Sequence, residues 1–311
     1  MQVTVPSFAK LNLDLRVLGK RPDGYHELRT IFQTVSLKDT LTIDFDFARR
    51  TQIDLSSSVD IPDNLVVRSA KSVLEALKVH ARVRFVLDKR IPMGAGLGGG
   101  SSNAAAVLLA LPKLAGKHIS RAELFRLAES LGSDVPFFLC GGTALGVGRG
   151  TEIYPLPDLP AASALIVASG IHVSTREAYA ALGRNVPDPL TSAPESPILR
   201  EFQTIAWTLD GSSLDRLPLT NDFEKAVFQM HATLPSLARK LRRLGARPAR
   251  MTGSGSALFG VFPSFGASQA AASEFRSGTA FPVRFVPRRQ YNSAWRRALG
   301  RLTGASLMSG G

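Results

Sequence analysis

The sequence predicts an α+β protein in two domains, and three observations carry that expectation. Its 311 residues give room for two domains at roughly 100–200 residues each. Segments with strand-like alternation are interleaved with segments whose apolar residues recur at helical spacing. Pro155, Pro157 and Pro160 interrupt both patterns, which places a domain boundary near residue 158. The expected division is 1–158 and 159–290, followed by a basic tail over 291–311 that is expected to be mobile.

Each element follows in order. Alternation at 2–5 and 10–18 reads as strands, and the turn-rich GKRPDGYH (19–26) leads to further strands at 30–36 and 40–47. Residues 63–79 carry apolar residues at helical spacing behind Asp63, a capping residue type. VRFVLDKR (83–90) is a strand running into a glycine loop, after which an Ala- and Leu-rich helix begins. Ser120 with Glu123 forms a capping-box pattern for the next helix, which Gly132 ends. In the second domain ALIVAS (164–169) suits a buried strand, and 185–197 is a polar, Pro-rich insertion. Helices are expected at 222–232 and 235–244. ARMTGSGSALFGVF (249–262) reads as strand, glycine turn and strand, with a helix near 266–276 and a strand near 282–287.

Composition narrows the function classes. With 44% hydrophobic and 20% charged residues, the chain has globular rather than disordered composition. The single cysteine, Cys140, forms no internal disulfide and no thiolate metal site, which fits a reducing compartment. No apolar stretch approaches the roughly 18 residues of a membrane span, and the N-terminus lacks a signal-peptide core. The expectation is a cytoplasmic protein, monomer or homodimer, with no membrane partner. The net charge of +13 favours anionic partners. Arg239, Lys240, Arg242 and Arg243 crowd one segment, and Arg288, Arg289, Arg296, Arg297 and Arg301 crowd another; a solvated cationic surface is the preferred reading of such runs. A single-strand nucleic-acid platform wants aromatics interleaved with arginine, and only Tyr291 and Trp295 stand near the second group. No specific nucleic-acid partner is expected.

The strongest local signal is Pro92, Met93, Gly94, Ala95, Gly96, Leu97, Gly98, Gly99, Gly100, Ser101 and Ser102, between a strand and a helix. Glycines without Cβ let successive N–H groups converge on an anion, and the helix start adds partial positive charge. Ser101, Ser102 and Asn103 either add donors or cap the helix. Five glycines in seven positions cost too much chain entropy for a mere turn. Gly94, Gly96 and Gly99 satisfy G-x-G-x-x-G, but a dinucleotide fold wants a strand after the first helix, and here another helix follows. No lysine precedes Ser101, against a Walker A loop, and no HRD or DFG motif follows, against a protein kinase.

PMGAGLGGGSSNAA (92–105), AKLNLDLRVLGKRPDGYHEL (9–28) and MTGSGSALFGVF (251–262), with DNLVVRSA (63–70) and LGSDVPFF (131–138), resemble the GHMP kinase superfamily. Within it they resemble the 4-diphosphocytidyl-2-C-methyl-D-erythritol kinases of non-mevalonate isoprenoid synthesis. The resemblance runs from about residue 3 to 290, in the family's order. It implies the two-domain GHMP fold, with an N-terminal domain like ribosomal protein S5 domain 2 and a C-terminal ferredoxin-like α/β domain. It also implies ATP, with Mg²⁺ held mainly by phosphates and water, and a cytidine-diphosphate polyol as acceptor.

The same resemblance assigns roles. Asp134 is the base for the acceptor hydroxyl and Lys10 the cation beside it; on sequence alone Asp134 is also a helix cap and Lys10 a solvated strand lysine. Asn12, read from the residues themselves, shares a strand face with Lys10 and can donate and accept, which suits either a polyol contact or a strand-end turn contact. Tyr25, His26 and Tyr179, four residues past Thr175, hold the cytosine, though Tyr179 also suits core packing. Gly253 and Ser254, in the turn Thr252–Ser256, line the phosphates or acceptor. Asn64 lies beside the adenine or caps a helix. No cluster has metal-ligand spacing, so no protein metal site is expected. A relative acting on a different alcohol is the nearest alternative.

Overall fold

The computed structural model describes residues 1–182, 204–205, 208, 214 and 217–305, with side chains to residue 300. The insertion expected at 185–197 lies outside the described residues.

A long antiparallel hairpin organises the molecule. Strands β1 (Gln2–Lys20) and β2 (His26–Phe47) each merge two of the short strands expected from sequence. The turn-type residues between those segments do not end the strands, because they face each other across the ladder, Pro6 on Thr40 and Ser7 on Asp39. A register shift between Phe8 and Ala9 absorbs the irregularity. Three further strands, β3 (Gln52–Ser57), β5 (Thr143–Val147) and β6 (Glu152–Pro155), join β4 (Ala81–Asp88) in the order β3-β4-β2-β5-β6, with β1 on the free side of β2. Only β3 and β4 run parallel within this sheet. Strand β4 shows the expected alternation, with Ala81, Val83, Phe85 and Leu87 buried and the residues between them exposed. Helices α1 (Leu65–Leu77), α2 (Gly99–Leu114), α3 (Arg121–Leu131) and α4 (Val135–Cys140) cover that buried face. The shared core includes Phe45, Phe85, Val107, Leu108, Phe137 and Phe138.

The second sheet comprises β7 (Ser163–Val167), β8 (Ala249–Met251), β9 (Leu258–Phe262) and β10 (Ala280–Arg284), in the order β10-β7-β9-β8 and antiparallel throughout. Its helices are α5 (Thr175–Ala181), α6 (Phe223–Met230), α7 (Thr233–Arg243) and α8 (Phe265–Ala272). Strand β1 passes along the whole length of the core. Val3 and Val5 belong to the first cluster, Leu11 and Leu13 pack with Ile166, Phe259 and Phe285, and Leu15 and Val17 pack with Phe223 and Leu258. Asp14, fully buried on β1, accepts from the Thr220 amide at 2.7 Å and from Arg16. One strand thus fixes the second sheet relative to the first.

The tail expected to be mobile from residue 291 instead begins inside helix α9 (Arg288–Ala305). Tyr291 and Trp295 are buried in the first core, with Ala294, Ala298 and Leu299 packed beside them. The Tyr291 hydroxyl donates to the Phe138 carbonyl at 2.5 Å. These apolar positions have helical spacing, masked in the sequence by the arginines between them. Residues 306–311 lie outside the described residues.

Candidate active site

Lys10 and Asn12 project from one face of β1, both almost fully buried. The Lys10 ammonium donates to Asn12 Oδ1 at 2.5 Å and lies 3.3 Å from Asp134 Oδ2. Asn12 is held in turn, its Nδ2 donating to Thr30 Oγ1 at 2.8 Å and Thr30 donating to the Asp14 carbonyl at 2.7 Å. That chain orients the Asn12 carbonyl oxygen towards the ammonium. Asp134 stands at the N-cap of α4, with Pro136 in the first turn, yet its carboxylate makes no capping bond. Its side chain is one-third exposed against 3% for Lys10. The carboxylate is therefore available to the solvent side of a buried cation.

The glycine loop closes over this pair. Gly94, Gly96 and Gly98 have φ of +63°, +76° and +69°, the left-handed region in which side chains are strained. A Cβ on Gly96 would lie 2.4 Å from the Thr252 carbonyl oxygen, and one on Gly98 would meet the Phe138 ring at 2.9 Å and Lys10 Cγ at 3.0 Å. Close approach as well as conformation thus requires glycine. The Lys10 amide donates to the Leu97 carbonyl at 3.0 Å, and the Ala257 amide to the Ala95 carbonyl at 3.2 Å. The second glycine turn is anchored by Thr252 Oγ1, which accepts from the Asn12 amide at 2.9 Å, and by Asn221 Nδ2, which donates to the Met251 and Gly253 carbonyls. Two small-residue turns from different sheets consequently meet around Lys10.

They open on a cleft of about 1270 Å³. Lys10, Asn12, Asp134, Gly94, Gly96, Ser101, Gly253 and Ser254 line it, as do Tyr25, His26, Thr175 and Tyr179. There the His26 ring stacks on Tyr179 at 4.3 Å and 18°, and Phe223 meets Tyr179 edge-on at 4.9 Å. Tyr25 is exposed, with the Arg149 guanidinium 4.1 Å above its ring. Thr175 Oγ1 lies 3.2 Å from Ser254 Oγ. Burial, with the nearby Asp134 charge, pushes the Tyr179 phenol up to about 12. Burial, with Lys20, lowers His26. Both groups are therefore uncharged at neutral pH.

Some expected residues lie elsewhere. Asn103 is buried, its Nδ2 donating to Asp39 at 3.0 Å and its Oδ1 accepting from Lys89 at 3.2 Å. Lys89 also pairs with Asp39 at 2.5 Å, so Asn103 stabilises the base of the loop and does not line the cleft. Ala95, Leu97 and Ser102 are buried as well and do not line the cleft. Pro92, Met93, Gly98, Gly99 and Gly100 do not line it. Asn64, not Asp63, caps α1, accepting from the Val66 amide at 3.0 Å. Asn64 also lines a second pocket of about 570 Å³ with Leu55, Ser57, Val59 and Ile61, and its Nδ2 is buried without a partner among the described residues. A Cβ on Gly100 would lie 3.7 Å from the neighbouring Leu65, which ties the glycine loop to the start of α1.

Sequence reasoning missed Lys20, Ser133, Arg149, His172 and Arg176, which also line the cleft. Arg149 had a signal, since it stands between Gly148 and Gly150, both at positive φ. Among the described residues no three His, Cys, Asp or Glu side chains converge to hold a metal ion, and no helix is long and apolar enough to cross a membrane.

Two domain families match the chain: the GHMP kinases N-terminal domain over residues 64–142 and the GHMP kinases C-terminal domain over 207–279. A 4-diphosphocytidyl-2-C-methyl-D-erythritol kinase from Solibacter usitatus is 50% identical over 301 residues, covering 97% of this chain and 94% of the relative. The corresponding kinase of Citrifermentans bemidjiense is 37% identical, covering 88% and 94%. A crystal structure of 4-(cytidine 5'-diphospho)-2C-methyl-D-erythritol kinase superposes with a TM-score of 0.75 at 36% identity, over 91% of this chain and 98% of that one. A homoserine kinase from Cytophaga hutchinsonii, at TM-score 0.68 and 20% identity over 91% and 94%, shares the fold.

Proposed function

This chain belongs to the 4-diphosphocytidyl-2-C-methyl-D-erythritol kinases, small-molecule kinases with the two-domain GHMP fold, and on that premise we propose how its residues perform the transfer. ATP phosphorylates the 2-hydroxyl of 4-diphosphocytidyl-2-C-methyl-D-erythritol, a step in isoprenoid precursor synthesis. The observation that carries this reading is the Lys10–Asp134 pair, 3.3 Å apart where two glycine turns open on the cleft.

Phosphoryl transfer asks the protein for alignment, charge stabilisation and a proton acceptor. Loop N–H groups and the Ser101 hydroxyl receive the ATP phosphates. The adenine enters the second pocket, which Asn64 lines. Asp134 takes the hydroxyl proton as the acceptor oxygen bonds to the γ-phosphorus and the bond to the β-phosphate oxygen breaks, releasing ADP. Lys10, held by Asn12, places positive charge on the transferring oxygens. Mg²⁺ carried on the nucleotide phosphates would supply positive charge there, and Ser101, which lines the cleft, would be the side chain to touch it. The acceptor's cytosine lies against Tyr25 and Tyr179. Since His26 covers one face of Tyr179, it rotates aside to meet the base's hydrogen-bonding edge. Lys20, Arg149 and Arg176 at the rim suit a diphosphate.

An ADP-release assay with the cytidylylated acceptor, mevalonate, homoserine and galactose tests this reading. Turnover that needs the cytidylylated acceptor is expected. Equal turnover with another alcohol overturns the acceptor assignment.

A further inference from the structure

His172 comes from the second half of the molecule and faces the glycine loop of the first. Its Nδ1 lies 3.1 Å, and its Cε1 3.5 Å, from where a Cβ on Gly94 would stand. Gly94 has φ +63°, so a side chain at that position would be strained by the backbone and would crowd the imidazole. The ring lines the same cleft as Lys10, Ser101 and Gly253. Its backbone is fixed on both sides. The Ile171 amide donates to Ser169 Oγ at 3.1 Å, Ser169 donates to Ser256 Oγ at 2.7 Å, and Ser256 donates to the Ile171 carbonyl. Val173 is buried in the second core. The segment is thus tied to the Thr252–Ser256 turn, while the ring itself is exposed and makes no hydrogen bond or ion pair with the described residues.

A polar ring with both nitrogens free, fixed beside an N–H-lined loop, is placed to serve an anion. We propose that His172 donates a hydrogen bond to a phosphate oxygen of a bound nucleotide diphosphate, closing the phosphate site beside Gly94. This deepens the kinase reading and rests on it. Two diphosphates reach the cleft, the nucleotide's and the acceptor's, and they share this chemistry. A neutral imidazole suffices, since one ring nitrogen carries the proton. A hydrogen bond to a charged oxygen is among the stronger ones, so its loss is expected to weaken diphosphate binding roughly tenfold or more.

The test measures binding of ADP, adenosine, CDP and cytidine to the full-length wild type, His172→Ala and His172→Gln by calorimetry. In His172→Ala, roughly tenfold weaker binding of ADP or of CDP is expected, with adenosine and cytidine unchanged. Whichever diphosphate is affected identifies the one that His172 meets. His172→Gln, which keeps an N–H donor of similar reach, is expected to recover part of the loss. Unchanged affinity for both diphosphates in His172→Ala overturns the proposal. Equal losses for diphosphate and nucleoside also overturn it, because they mark a repacked loop. Wild-type turnover with the cytidylylated acceptor is the separate control: its absence overturns the kinase reading, whereas the diphosphate-to-nucleoside comparison judges His172 alone.

Discussion

Lys10 Nζ and Asp134 Oδ2 stand 3.3 Å apart, with Asn12 holding the ammonium from behind at 2.5 Å. The carboxylate is spared from capping α4 and faces the cleft, so a base role makes a sharp demand. Asp134→Asn keeps size and shape while removing the proton acceptor. A fall in kcat of roughly 10²–10⁴ is expected, with ATP and acceptor dissociation constants within a few-fold of wild type. Stopped-flow turnover beside equilibrium binding gives both quantities. A kcat within threefold of wild type would reject Asp134 as the base.

Gly96 lies where the two turns touch. A methyl group at this position would stand 2.4 Å from the Thr252 carbonyl oxygen, on a residue with φ +76°. Gly96→Ala is expected to cost about 1–3 kcal/mol of stability from strain and overpacking. Displacement of the loop should also raise the KM for ATP. Chemical denaturation and initial-rate kinetics check the two effects; an unchanged melt with unchanged KM contradicts the close approach.

Tyr179 is half-buried, edge-on to Phe223 and stacked with His26. Base stacking is worth about 1–3 kcal/mol, so Tyr179→Ala is expected to raise the acceptor KM by roughly tenfold while sparing that for ATP. Tyr179→Phe keeps the ring. Its phenol, pushed up to about 12, carries no charge in the working range, and near-normal kinetics are expected. A parallel rise in both KM values for Tyr179→Ala would mean general distortion rather than a base contact.

Asp14 couples pH to stability. Burial outweighs Arg16 and the Thr220 amide and raises its carboxyl from 3.8 to about 6. The folded state then holds a proton that the unfolded chain has released between those values, so stability falls as pH rises through that window. Asp14→Asn removes the proton exchange. Its stability relative to wild type is therefore expected to improve by up to about 3 kcal/mol between pH 4 and pH 7, measured by denaturant unfolding at each pH. A difference that is flat, or that moves the other way, refutes the assignment.

Local chemistry made much of this molecule legible. The glycine loop, the Thr252–Ser256 turn and most helices were readable because backbone needs and apolar spacing are written in neighbouring residues. Helix α9 was hidden for a physical reason: Arg288, Arg289, Arg296 and Arg297 surround a stripe formed by Tyr291, Ala294, Trp295 and Ala298. Strand continuity through Ser7 and Asp39 escaped because the partner strand, not the local residues, sustains it. Asn103 illustrates the converse, a polar residue in a binding motif whose amide is committed to Asp39 and Lys89.

By itself the sequence determined most of the elements, the two glycine turns and which family the chain resembles. Tertiary structure decided which polar groups share a site: His172 against Gly94, Arg149 over Tyr25, and Asp134 beside Lys10 rather than capping its helix. The reason is that hydrogen bonding and charge act over a few ångströms of space. The separations along the chain that bring such groups within reach are set by packing of the two sheets around β1.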